Sequence, residues 1–293
     1  MKYTDNNAAI MLRWTCSTCC LCTVEQVHIL PEGPPVRGVT TLGNQIYLLR
    51  WKERDQVEVY DAVTYRLIYC LTVPDARDFI DMTSCKHFLC LYISDPDVKC
   101  IHRLDLQGSA TEWPVSDTPV GLSVNADHNL IVTCPFVRRI KEFSPHGVLL
   151  RDVTLPGDVI TPLHAIQLTS GQFIVCHGAG NDQVHRVCMM SADGREIVCS
   201  HGGQRGSDTD QYDGPRYLAV DDNESVFVVD FYNRRVTLLS PTLNYLRQIV
   251  SRDQIKWKPV RLCLDVQRRR LYVNDNELKD GKYTAGRVVV FSV

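Results

Sequence analysis

The sequence predicts an all-β chain, a six-bladed β-propeller of four-stranded antiparallel blades whose last blade is closed by an N-terminal strand. Three observations lead there. A phrase made of a starting Pro or Ala, an apolar run, a turn and a second apolar run recurs along the chain. It begins at Pro35, Ala76, Pro119, Pro162, Pro215 and Pro259, in steps of 41, 43, 43, 53 and 44 residues, and a period of 40–45 residues is that of a propeller blade. The second run of each unit is almost continuously apolar ("IYLL", "FLCLYI", "LIVTC", "FIVC", "VFVV", "LYV"), which requires cover on both faces of a strand, here by the neighbouring units. The last unit is short: Pro259 to Val293 is 35 residues, room for three strands. Thr23–Leu30, "TVEQVHIL", is apolar at alternate places and supplies the fourth, leaving no open sheet edge.

The unit Gly214–Pro241 shows the elements in order. Its four strands are expected at about Arg216–Val220, Val226–Asp230, Arg235–Leu239 and Leu246–Val250. First and second strands are joined at Gly43-Asn44, Ala126-Asp127, Ser170-Gly171 and Asp222-Asn223, all turn-forming types. Residues 23–293 therefore read as one propeller, preceded by a Cys-rich leader over 1–22 that is expected to be disordered. No segment has useful helical periodicity.

Composition narrows the function. Apolar residues are 44% and charged residues 23%, with a net charge of −2. That excludes the strongly basic balance of a dedicated nucleic-acid binder while leaving room for a local basic patch, and no DNA partner is expected. No run approaches the ~20 apolar residues of a membrane helix, and Ala8–Leu12, interrupted by Arg13, is too short for a signal peptide. A cytoplasmic, monomeric propeller is expected. Nine of the thirteen cysteines fall between Cys70 and Cys263, mostly inside apolar runs, as reduced thiols do. The other four, Cys16, Cys19, Cys20 and Cys22, include metal-ligand spacing, but so short a stretch strains a tetrahedral site.

The fifth unit, "GGQRGSDTDQYDGPRYLAVDDNESVFVVDFYNRRVTLLSP", resembles the NHL repeat. It has the Gly-rich lead (Gly203, Gly206), the aromatic before Pro (Tyr212, Pro215), the Val220-Asp221 turn and the series Asp230, Asn233, Arg235, Val236. The resemblance implies a likeness to the C-terminal domain of tripartite-motif ubiquitin ligases, where such propellers bind proteins or RNA. The RING, B-box and coiled coil of those ligases have no counterpart here, so ligase activity is not implied.

Loops on a rigid scaffold carry function, which points to the loops between second and third strands. The first (Arg50, Trp51, Lys52, Glu53, Arg54, Asp55) is net +1, the third (Phe136, Arg138, Arg139, Lys141) +3 and the fifth (Asp230, Phe231, Tyr232, Arg234, Arg235) +1. The second (Asp95, Asp97, Lys99), fourth (Asp182) and sixth (Asp275, Glu277, Lys279, Asp280, Lys282) are each net −1. Alternating sign suits a protein or peptide partner, and cations mixed with aromatics also suit RNA. The expected contact residues are Trp51, Arg54, Phe136, Arg138, Arg139, Phe231, Tyr232, Arg234 and Arg235, with Arg37, His164, Arg216 and Arg261 nearer the channel. The bland alternative is that these cations simply solvate loops.

A metal-dependent hydrolase or lyase is the third reading. His164 and His177 start and end adjacent strands of the fourth unit, but a catalytic zinc wants three protein ligands. The matching inner positions are Arg37, Asp78, Gly121, Tyr217 and Arg261. Asp78 and Asn274 do not make a calcium ring. No cofactor or metal is expected.

Overall fold

The computed structural model describes residues 24–51, 56–73, 77–107 and 109–293. Six four-stranded antiparallel sheets follow one another along the chain. Their innermost strands are Val36–Leu42, Asp81–Cys85, Gly121–Val124, Pro162–Gln167, Pro215–Val220 and Lys258–Asp265. Each packs beside the innermost strands of two neighbouring blades, the sixth returning to the first. At Gly38 a Cβ would sit 2.7 Å from the Cβ of Met82, so this backbone approaches the next blade as only glycine allows.

The fifth blade is built from Pro215–Val220, Val226–Asp230, Arg235–Leu239 and Tyr245–Val250, each within one residue of expectation. Every residue of Cys90–Asp95, Leu130–Cys134, Phe173–His177 and Val226–Asp230 is buried. The cores responsible lie between blades: Val229 and Val236 of the fifth, for example, pack with Leu271 and Val273 of the sixth.

The N-terminal strand closes the ring. Gln26–Gly33 pairs antiparallel with Lys282–Ser292 through Gln26↔Phe291, His28↔Val290 and Leu30↔Val288. Leu30 is fully buried among Val36, Tyr272, Val288 and Val290, so the closure is an apolar contact as well as a hydrogen-bonded ladder.

Two local expectations need correction. The second strand of blade 2 starts at Cys90, because Lys86–Leu89 turn the chain so that Cys85 faces Cys90. In blade 6 the second and third strands are Arg270–Lys279 and Lys282–Ser292, joined only by Asp280-Gly281, both at positive φ (50° and 76°), a two-residue hairpin turn. Asp275, expected in an exposed loop, is instead buried within a strand against Arg287, 3.0 Å away. The leader and its four cysteines lie outside the described residues. Cys70, Cys85, Cys90, Cys100, Cys134, Cys176, Cys188, Cys199 and Cys263 are free thiols.

Candidate partner-binding face

One face of the disc carries both the loops between second and third strands and the linkers between blades. The two are joined by backbone hydrogen bonds: Trp51 N to Pro35 O (2.9 Å), Val115 N to Lys99 O (2.7 Å), Leu155 N to Arg138 O (2.9 Å), Gly178 N to Ile160 O (2.9 Å) and Tyr232 N to Asp213 O (2.9 Å).

The channel beneath this face is crossed by side chains from different blades. Arg261 Nε donates to Asp81 Oδ1 at 2.9 Å, and its guanidinium lies 5.0 Å from the Tyr217 ring. Tyr217 stacks on His164 at 3.7 Å, and His164 Nε2 donates to Leu122 O at 3.0 Å. Burial, with Arg261 adding to it, pushes the His164 imidazole down to about 3, so it stays neutral. A cavity of about 240 Å³ follows along the channel, bordered by Thr40, Ser84, Ser123, His164, Tyr217 and Cys263.

Blades 5 and 6 assemble a cation–aromatic cluster at the mouth. The Arg216 guanidinium lies 4.1 Å from the Phe231 ring centre, and its Nη1 donates to Tyr283 Oη at 2.6 Å. Lys258 Nζ stands 5.3 Å from the Phe231 centre and 4.8 Å from that of Tyr232, while Arg205 lies 5.6 Å from Tyr232. Trp257 carries Lys256 at 4.2 Å and Arg287 at 5.7 Å. Such pairs are electrostatically favourable, more so when partly desolvated. Burial first, then Arg234, Arg252 and Arg216, holds the Lys258 ammonium below its ordinary range.

Two further features stand apart. In blade 1, Trp51 is 39% exposed, with Arg37 over its ring at 4.8 Å and Arg37 paired to Asp78 at 3.6 Å. In blade 3, Phe136 is 78% exposed on a one-turn 3₁₀ segment, Pro135–Val137, that ends at Arg138 in the left-handed region (φ 54°).

Several expected contact residues are committed elsewhere. Phe231 (2% exposed), His164 (1%), Arg235 (9%) and Arg261 (7%) lie under the surface. A buried guanidinium must satisfy its five donors. Arg235 places four of them, on Asp230 Oδ2 (2.8 Å) and the carbonyls of Ser207 (2.8 Å), Asp208 (3.0 Å) and Gln211 (2.7 Å). Arg234 is bound to the carbonyls of Ile255 (2.6 Å) and Lys256 (2.8 Å), Arg139 to Asp152 at 2.7 Å, and Arg138 reaches Gly157 O at 3.3 Å. Lys141, counted as a loop cation, is buried between Asp117 (3.0 Å) and Asp152 (2.6 Å). Arg54 lies outside the described residues.

Lys258, Trp257, Tyr283 and Arg205 were not expected at the face. The signal was present, since linkers share the face with the loops and "RDQIKWK" (252–258) is basic. Other linker positions bring Asp78, Asp117, Asp158 and Asp213, so carboxylates stand among the cations of this face.

No family model and no curated protein sequence matches the chain. Solved structures match its fold. A virginiamycin B lyase from Staphylococcus aureus with quinupristin is 9% identical with a TM-score of 0.62, covering 92% of this chain and 99% of that one. Hydrazine synthase of Kuenenia stuttgartiensis is 13% identical with a TM-score of 0.61, covering 92% and 98%. A chain of a nidogen/laminin complex is 13% identical with a TM-score of 0.58, covering 75% and 81%. The fold is a six-bladed β-propeller. At these identities the likeness stops at the fold, and the NHL resemblance rests on the fifth blade's own residues.

Proposed function

We propose that this propeller is a non-catalytic interaction module that binds a protein or peptide partner on its channel-mouth face in the cytoplasm. The observation that carries this reading is the cluster of Arg216, Lys258, Phe231 and Tyr232 above a channel crossed by the Arg261–Asp81 pair. A surface of Arg and aromatic anchors over a plugged channel suits a macromolecular partner. The exposed Trp51 and Phe136 add apolar contacts away from the cluster. Loop charges that alternate in sign around the face suit a partner of matching charge pattern. The free thiols of the described cysteines fit a reducing compartment.

In the NHL-type reading, Asp230, Asn233 and Arg235 lock the linker before blade 5. Asp230 accepts from Asp213 N at 2.9 Å and from Asn233 Nδ2 at 2.8 Å. The domain would then be the substrate-recognition part of a ubiquitin-ligase-like system. RNA is the second reading, favoured by Lys258 and Arg205 standing beside the exposed Tyr232 ring. A metal-dependent hydrolase or lyase is third: the matched lyase is an enzyme on this fold, whereas His164 and Tyr217 here are held in the plug.

Affinity capture from native extract, with and without RNase, tests the proposal against a Trp51→Ala plus Tyr232→Ala variant of unchanged melting temperature. Partners that survive RNase and are lost in the variant support it. Identical capture by both proteins overturns it. Capture abolished by RNase, with affinity falling steeply with salt, moves the reading to RNA.

A further inference from the structure

The second and third strands pair at an equivalent position in each blade, at the end of the second strand in blades 1 to 5 and within the longer hairpin of blade 6. Five blades place an arginine in that pair: Arg50↔Gln56, Cys134↔Arg139, His177↔Arg186, Asp230↔Arg235 and Asp275↔Arg287. In blades 5 and 6 the arginine neutralises a fully buried aspartate, at 2.8 Å and 3.0 Å. Blade 2 keeps the buried aspartate, Asp95, but sets Cys100 opposite it.

Strand geometry then gathers the surroundings. Side chains alternate across a strand, so Cys100 and His102 share a face. Asp95 lies opposite Cys100, and Glu112 of the outermost strand lies opposite His102. Cys100 Sγ is 3.2 Å from His102 Nε2, and the same nitrogen is 3.7 Å from Asp95 Oδ2. Glu112 Oε2 is 3.3 Å from His102 Nδ1 and 4.0 Å from Cys100 Sγ. Cys100, His102 and Asp95 are buried and the Glu112 side chain is 60% exposed. Asp95 is further held by the backbone N–H groups of Arg77 and Asp97, each at 3.1 Å.

We propose that Cys100 Sγ, His102 Nε2 and Asp95 Oδ2 bind a divalent transition-metal ion, zinc by their chemistry, with Glu112 orienting the imidazole through Nδ1–H. A tetrahedral zinc with bonds of about 2.0 to 2.3 Å sets neighbouring donors roughly 3.3 to 3.6 Å apart. The imidazole nitrogen already stands close to that spacing from each of the other two donors, 3.2 Å from Cys100 Sγ and 3.7 Å from Asp95 Oδ2, and the exposed Glu112 side chain borders the group. One thiolate, one imidazole and one carboxylate form a donor set that favours zinc over calcium or magnesium. The carboxylate on the far ring nitrogen is the usual support of a zinc-bound histidine. On binding, the thiol proton passes to solvent. The dication then supplies the positive charge that Arg235 and Arg287 supply in blades 5 and 6. This inference is independent of the channel-mouth reading.

The experiment uses the 293-residue chain with Cys16, Cys19, Cys20 and Cys22 replaced by Ser, so that these thiols do not compete. After loading with zinc and dialysis, elemental analysis is expected to find a stoichiometric ion that is lost in Cys100→Ser and in His102→Gln. Cobalt in place of zinc is expected to give a thiolate charge-transfer band that Cys100→Ser abolishes. Glu112 is exposed, so Glu112→Gln serves should the buried variants not fold. It is expected to weaken zinc binding about 10- to 100-fold. No zinc in the reference protein, zinc unchanged by Cys100→Ser, or affinity unchanged by Glu112→Gln each overturns the proposal and leaves a hydrogen-bonded polar cluster.

Discussion

Replacing Leu30 by Ala tests the ring closure on which every loop position depends. Leu30 is 0% exposed, and its side chain fills the seam between the N-terminal strand and the apolar residues Val36, Tyr272, Val288 and Val290. Truncating a buried leucine costs about 2–5 kcal/mol, the transfer of the lost methyl groups plus the cavity they leave. Taking ~3 kcal/mol and a shift near 2 °C per kcal/mol for a large domain, the melting temperature is expected to fall by about 6 °C. Val27 on the same strand is 43% exposed, so Val27→Ala is the control, expected within ~0.5 kcal/mol of wild type. Thermal unfolding followed by circular dichroism measures both. Hydrogen exchange at Ile29 and Leu30 reports whether the strand itself frays. Were Leu30→Ala to melt no lower than Val27→Ala, the strand would not be closing the sixth blade and the reasoning would fail.

The remaining predictions concern the channel. Arg261→Met removes the partner of the fully buried Asp81 and is expected to cost about 3–5 kcal/mol in denaturant unfolding. Arg261→Met with Asp81→Leu is expected to recover part of that loss, and a single-variant cost below ~1 kcal/mol would refute the pairing. Burial lowers His164 from 6.5 to about 3 and His177 from 6.5 to about 4. Below pH 6.5 the unfolded chain takes up protons that the folded chain refuses, so stability is full above that pH and falls as pH drops toward 4 and 3. By pH 5 each histidine is expected to have removed about 2 kcal/mol. His164→Gln is expected to flatten the stability-versus-pH slope between pH 6.5 and 4 by about one proton, and an unchanged slope would show that His164 titrates normally.

Much of the architecture was legible because a blade is encoded locally. A turn such as Asp222-Asn223 and an apolar run such as Val226–Val229 need only neighbouring residues to declare a strand. The short final unit and the alternating "TVEQVHIL" together implied the closure. The face was less legible. Arg235 and Phe231 read as loop residues, yet the Asp230 carboxylate and three carbonyls draw Arg235 beneath the surface, and Phe231 becomes the floor under Arg216. Lys258 and Tyr283 reach the same cluster from blade 6, where a longer hairpin than expected carries Tyr283 up to Arg216.

By itself the chain's periodic pattern determined the number of blades, the order of strands and which runs are covered on both faces, since an unbroken apolar run requires cover on each side and turns follow residue type. Only the tertiary structure decided which charges survive at the surface. Ring closure places Asp81 beside Arg261 across 180 positions of sequence, and register sets Cys100 and His102 beside Asp95 and Glu112. Coulomb attraction and desolvation act on distances through space, and those distances exist only once the ring has closed.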